Sequence, residues 1–164
     1  MTPLPLIDLR PGYRITRVIR GGWQLAGGHG PVDRAEAVAD MMAFAEAGIL
    51  TFDCADIYTG VEELIGAFRT AWADRHGQAA LAGLHVHTKL VPDLSMLATC
   101  DRAYVRGIVE TSLKRLRMDR LDLVQFHWWD YAVPRYLDVL GWLKDLQAEG
   151  KIAQIGATNF DTPR

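Results

Sequence analysis

Ile49-Leu50-Thr51-Phe52-Asp53-Cys54-Ala55-Asp56-Ile57-Tyr58 opens as a short apolar run and becomes a polar loop at Asp53. A run this short, rich in β-branched and aromatic residues, reads as a buried strand over 49–52. Other runs stop in the same way: 84–90 closes on His87-Thr88-Lys89, and 121–126 leads into His127. Residues 152–157 make a further strand. In α/β folds the carboxyl ends of parallel strands converge on one rim, so reactive side chains there can meet although dozens of residues separate them.

Helical patterns fill the gaps. A first strand over 15–23 leads through the loop 22–31 to a helix with Asp33 as N-cap and Glu36 three residues on, a capping box. Val38, Met41, Met42 and Ala45 form its apolar stripe, and Gly48 closes it. From Glu62 to Gly77, Leu64, Ile65, Phe68 and Trp72 recur at three- and four-residue spacing. A third helix over 101–116 carries Val105, Ile108, Val109, Ser112 and Leu113 inward. Pro134 suits the first turn of a fourth helix, through Leu137, Leu140 and Leu143 to Gly150. Strands alternating with helices, joined by connections too long for hairpins, imply a parallel sheet with right-handed crossovers. The fold class is α/β, and residues 1–164 read as a single domain.

Composition narrows the function classes. With 18 basic against 20 acidic residues and a net charge of -2, the chain offers no field for phosphate backbones or anionic lipid, so neither nucleic acid nor membrane is an expected partner. Lys114-Arg115-Leu116-Arg117 falls at a helix end, where cations complement the macrodipole. The content is 49% hydrophobic and 23% charged, ordinary for a globular protein. Cys54 and Cys100 are too few for a disulfide framework or a zinc site. The opening residues lack a basic region with an apolar stretch, and nowhere do about 18 apolar residues run uninterrupted. The expectation is a soluble cytoplasmic protein.

Chemistry concentrates at the strand ends. Period two places His85, His87 and Lys89 on one strand face and Leu84, Val86 and Thr88 on the other. An ammonium on a face turned into a barrel is costly unless a carboxylate pairs with it, and Asp53, ending the neighbouring strand, is the nearest by topology. A buried Lys–Asp pair without catalytic use accounts for these two residues equally well. Tyr58, five residues beyond Asp53, favours catalysis. A phenol is a sluggish proton donor at neutral pH, but a cation about 4 Å away at an effective dielectric of about 20 stabilises the phenolate by up to about 4 kcal/mol before solvent screening. His127 can then hydrogen-bond a carbonyl oxygen. Trp23, Trp128 and Trp129 follow the first and fourth strands, where they either wall a substrate pocket or pack beneath the loops.

Taken together, these motifs resemble the aldo-keto reductases over nearly the whole chain. Phe52-Asp53-Cys54-Ala55-Asp56-Ile57-Tyr58 resembles the family's Asp-Thr-Ala-x-x-Tyr signature, and Glu62-Glu63-Leu64-Ile65-Gly66 is similar to its Glu-Leu-Gly-type helix start. Thr88-Lys89 matches the end of its third strand. Ser112-Leu113-Lys114-Arg115-Leu116, with Leu121-Asp122-Leu123 and His127, resembles the stretch leading to its active-site histidine. Ile155-Gly156-Ala157-Thr158-Asn159-Phe160 is similar to Ile-Gly-Val-Ser-Asn-Phe. The resemblance implies a (β/α)8 barrel that reduces aldehydes or ketones with NADPH, NADH being the alternative. It implies that Tyr58 donates the proton, Lys89 assists it, Asp53 orients Lys89 and serves the cofactor side, and His127 orients the carbonyl. Thr158, where the family usually has serine, and Asn159 would hold the nicotinamide carboxamide. Cys54 replaces the usual threonine, and Thr59 stands where glycine commonly follows the tyrosine.

A complete barrel of this kind takes about 250 residues, with phosphate-binding loops after its seventh and eighth strands. Five strands with four helices are counted before Arg164, so the expected form is an incomplete (β/α)8 barrel with open sheet edges, suited to self-association or a partner chain. Weak NADPH binding and poor turnover by the 164-residue chain are the corresponding expectations. Two rival classes remain. One is a non-catalytic regulatory or interaction protein on the same fold. The other is a metal-dependent hydrolase built on His85 and His87, which lacks a clear third ligand.

Overall fold

Strands and helices alternate along the chain in the computed structural model, which describes residues 4–28 and 30–161. Residues 1–3 of the opening segment, and 29 within the loop 22–31, lie outside the described residues. An antiparallel hairpin of β1 (Leu6–Arg10) and β2 (Tyr13–Thr16) comes first. It is followed by β3 (Arg20–Gly21), α1 (Arg34–Glu46), β4 (Thr51–Asp53), α2 (Val61–His76), β5 (His85–Leu90), α3 (Arg102–Leu116), β6 (Leu121–His127), α4 (Tyr136–Ala148) and β7 (Ile152–Thr158). From β3 to β7 hydrogen-bonded neighbours follow chain order in a five-stranded sheet, the incomplete barrel pattern expected from the sequence. The chain divides into two compact units, Met1–Cys54 with Tyr58–Val86, and Ala55–Ile57 with His87–Arg164.

The first unit corrects one expectation. The strand read over 15–23 is divided between the end of β2, the second strand of a hairpin, and β3. Pro11-Gly12 reverses the chain, Gly12 at φ 80° supplying the left-handed conformation that side chains resist. Ile7 then faces Ile15, and Asp8 faces Arg14, with which it forms a two-pronged ion pair at 2.9 Å. Tyr13 and Ile15 turn into the core while Arg14 stays exposed. The ladder stops because the Thr16 hydroxyl donates to Val18 O at 2.8 Å and also meets Thr51 Oγ1 at 2.9 Å, turning the chain before β3 resumes. β3 and β4 pair in parallel, Gly21 opposite Asp53. Asp33 caps α1 by accepting the Glu36 N–H, as the capping box requires. The buried stripe of α1 is Ala37, Met41 and Ala45, with Val38 and Met42 at its margin. In α2 all four expected apolar residues, Leu64, Ile65, Phe68 and Trp72, are buried.

In the second unit β5, β6 and β7 pair in parallel, with Lys89 opposite Gln125 and His127 opposite Thr158. Asp101 caps α3 through the Tyr104 N–H, and Val105, Val109, Ser112 and Leu116 are buried. Ile108 and Leu113 sit at the edge of that stripe. The fourth helix differs from expectation. It begins at Tyr136, two residues after Pro134, and buries Val139, Leu143 and Leu146. Leu137 is 66% exposed and Leu140 38%. At 3.6 residues per turn, 139, 143 and 146 share one side, while 137 lies across the helix and 140 a quarter-turn away. The helix entry is set by Arg135, whose Nε donates to Cys100 O at 2.7 Å. Among the described residues no helix is long and apolar enough to cross a membrane.

Candidate active site

Asp53 ends β4 and is half-buried. Its backbone is gripped by a residue that the sequence marks only as part of a loop: Gly22 N–H donates to Asp53 O at 2.7 Å. A Cβ on residue 22 would stand 2.8 Å from Val61 Cγ1 and 2.9 Å from that same carbonyl, so only glycine permits this approach. Tyr58 follows in the turn that enters α2, its carbonyl accepting the Val61 N–H at 3.0 Å. Trp23 begins a short 3-10 turn and is exposed.

The second unit holds the other strand ends. Lys89 is half-buried near the end of β5, and its carbonyl accepts the Asp56 N–H at 3.3 Å. Asp56 is a further residue whose role was not read from the sequence. One carboxylate oxygen accepts the Val91 N–H at 3.2 Å, the other the Ile57 N–H at 2.9 Å, and its carbonyl accepts from Arg115 at 3.2 Å. Asp56 thereby ties the segment just before Tyr58 to the end of β5. The signal was an aspartate in a turn, where its side chain can bond nearby backbone.

His127 closes β6. Its Nε2 lies 2.9 Å from Asn159 Nδ2, and its Nδ1 is buried with no hydrogen-bond partner among the described residues. Burial first, and the Lys89 charge second, hold the imidazole below the usual histidine range. The neutral form is therefore favoured in the folded state. Trp129 sets its ring edge-on to His127 at 4.4 Å, anchored by Nε1 donating to Pro92 O at 2.8 Å. Trp128 is a correction to the pocket-wall reading: it is 1% exposed, its Nε1 donates to Asp130 O and Val133 O, and its ring packs beneath the loop against Phe126 and Tyr136. An adjacent pair of tryptophans on an extended segment points to opposite sides, so one of the two turns inward.

Thus the second unit brings together Lys89, His127, Trp129, Thr158 and Asn159, while Asp53, Tyr58 and Trp23 belong to the first. Thr158 and Asn159 end β7, where an amide side chain offers both a donor and an acceptor, the pair a carboxamide needs. His85 packs edge-on against Tyr13 at 5.2 Å. Among the described residues no group of three His, Cys, Asp or Glu side chains could hold a metal ion.

The His127 shift sets a pH dependence. Its folded-state value lies below the ordinary 6.5, so its contribution to stability is full above that value and is lost as pH falls through the lower folded one. The urea midpoint should decline with acidification across this window, and His127→Asn should flatten that part of the curve. An unchanged slope in the variant would assign the acid sensitivity elsewhere.

Comparison with known proteins agrees with the motifs at these strand ends. The sequence model of the Aldo/keto reductase family matches residues 17–164. Aldo-keto reductase YhdN of Bacillus subtilis is 32% identical over 155 residues, 91% of this chain and 45% of that protein. Methylglyoxal reductase DkgA of Escherichia coli O157:H7 is 28% identical over 94% of this chain and 49% of its own length. The crystal structure of a thermostable aldo-keto reductase, Tm1743, with the inhibitor epalrestat superposes at TM-score 0.79 and 28% identity, covering 98% of this chain and 56% of that one. The chain spans about half the length of the curated relatives it matches. With Asp53, Lys89 and His127 at or one residue from the end of a parallel strand, Tyr58 in the turn beyond, and the family model covering the stretch that holds all four, the chain belongs to the aldo/keto reductase family.

Proposed function

We propose that this chain carries the proton-handling residues of a reductase for small aldehydes or ketones that uses a nicotinamide cofactor, NADPH before NADH. The observation that supports it most is the placement of Lys89 and His127 near the ends of neighbouring parallel strands, where burial and the Lys89 charge favour a neutral imidazole. A neutral imidazole can donate to a carbonyl oxygen without competing for the proton that the carbonyl must receive. Tyr58 delivers that proton, Lys89 favours the resulting phenolate, and Asp53 orients Lys89. Trp129, already against His127, limits where the substrate's carbon skeleton can lie and excludes water from that side. Thr158 and Asn159 hold the carboxamide. When bound, the reduced nicotinamide supplies hydride to the carbonyl carbon.

The relative that reduces methylglyoxal makes that compound a sensible probe. The chain, methylglyoxal and NADPH deuterated at nicotinamide C4 should give deuterium in the alcohol product, detected by mass spectrometry. Folded protein that yields no labelled alcohol at any cofactor concentration would remove catalysis by this chain from consideration.

A second reading, an interaction protein on the same fold, is favoured by the exposed apolar residues of the hairpin's first strand. Leu6, Ile7 and Leu9 of β1 are all exposed, more apolar surface than a short strand ordinarily leaves in water. A second copy of this chain or another protein is the corresponding partner, and sedimentation of the purified chain tests self-association.

A further inference from the structure

Tyr131 lies in the loop after β6, and that loop is tightly tied. Asp130 O accepts from Trp128 Nε1 at 2.9 Å and from the Val133 N–H at 3.1 Å, while Asp130 Oδ1 accepts the Ala132 N–H at 2.8 Å. The Tyr131 ring is packed on Phe160 at 5.5 Å and edge-on to Tyr136 at 6.1 Å. From this seat its hydroxyl donates to Asn159 O.

Asn159 is held in an unusual backbone state. Its φ of 64° is left-handed, a region non-glycine residues visit rarely and asparagine more readily than most. The Tyr131 hydroxyl holds its carbonyl, and the next residue, Phe160, is fixed by ring contacts with Tyr131 at 5.5 Å and Phe126 at 5.6 Å. The side chain emerging from this backbone places Nδ2 2.9 Å from His127 Nε2. An amide nitrogen can only donate, so Nε2 must accept, and the single proton of the neutral imidazole sits on Nδ1. That Nδ1 is buried without a hydrogen-bond partner, so a proton there carries a desolvation cost that the Asn159 contact must outweigh. The preference comes from Asn159.

We propose that Tyr131 is a positioning residue for His127: by holding the Asn159 carbonyl it keeps the Asn159 amide on Nε2 and so selects the imidazole tautomer. The inference rests on the reading that His127 orients a substrate carbonyl. An Nε2 that accepts from Asn159 cannot donate to a carbonyl oxygen. Transfer of the Asn159 amide to another acceptor must therefore accompany the move of the proton to Nε2, and the Tyr131 hydroxyl sets how readily that transfer occurs.

Imidazole ¹⁵N spectra of the cofactor-free, 164-residue chain read the tautomer directly. The wild type should show a protonated Nδ1 and an accepting Nε2. Tyr131→Phe keeps the ring contacts and deletes only the hydroxyl, so it should shift the population toward Nε2–H and lose exchange protection of the Asn159 side-chain amide. Asn159→Ala should give the full shift. A Tyr131→Phe spectrum identical to wild type, or a wild type already protonated on Nε2, overturns the proposal. If Tyr131→Phe fails to fold, the wild type still decides: a hydroxyl proton of Tyr131 protected from exchange supports the proposal, and a freely exchanging one overturns it. Because no cofactor or substrate is present, failure of the reductase reading would leave these spectra unchanged.

Discussion

Tyr58→Phe is expected to lower carbonyl reduction by roughly two to four orders of magnitude, the usual worth of a positioned general acid, while nicotinamide binding stays the same. The substitution deletes one oxygen. The backbone turn is untouched, because Tyr58 contributes its carbonyl, not its side chain, to the Val61 N–H. What disappears is the proton source, and no neighbouring side chain in that loop replaces it: Asp56 is already committed through both carboxylate oxygens to backbone N–H groups of Val91 and Ile57. Single-turnover oxidation of NADPH by methylglyoxal measures the chemical step, and a fluorescence titration measures binding. A rate within tenfold of wild type would mean that another group delivers the proton. The same variant separates the two functional readings, since a protein that works only by binding a partner should be indifferent to the loss.

The strand ends were legible because each combines two independent signals. Lys89 and His127 close short apolar runs, and each is a residue that has little reason to be there unless the rim is polar. The capping box at Asp33 and the stripe of α2 were legible for the same reason: the pattern and the cap agree. The hairpin was missed although Pro11-Gly12 marks a turn, because Tyr13 and Ile15 continue smoothly into Val18 and Ile19 and only the Thr16 hydroxyl breaks the run. In α4 the leucines misled: Leu137 and Leu140 satisfy the spacing, but the helix is rotated by its entry at Arg135, a contact with Cys100 made 35 residues away. Gly22, Asp56 and Tyr131 act through approaches between segments distant in sequence, and no local pattern encodes such a contact. The family resemblance marks Asn159 without revealing its left-handed backbone or its partner His127.

Phe68→Ala is expected to destabilise the first unit by about 3–5 kcal/mol, the range for emptying a fully buried aromatic site, against a total of roughly 5–15 kcal/mol for a typical domain. Phe68 is 0% exposed, and its ring lies 4.7 Å from Phe52 and 6.2 Å from Trp72. Phe52 immediately precedes Asp53, and α2 begins three residues after Tyr58. The cavity would therefore loosen the frame that carries both residues, so a fall in activity should come with a lower urea midpoint. Leu137→Ala, on an exposed face of α4, should move the midpoint hardly at all although the side chain removed is also large and apolar. Tyr58→Phe should resemble Leu137→Ala in stability and exceed Phe68→Ala in its effect on rate. Should Phe68→Ala leave the midpoint unchanged, the core of α2 would not be what holds Asp53 and Tyr58 in place.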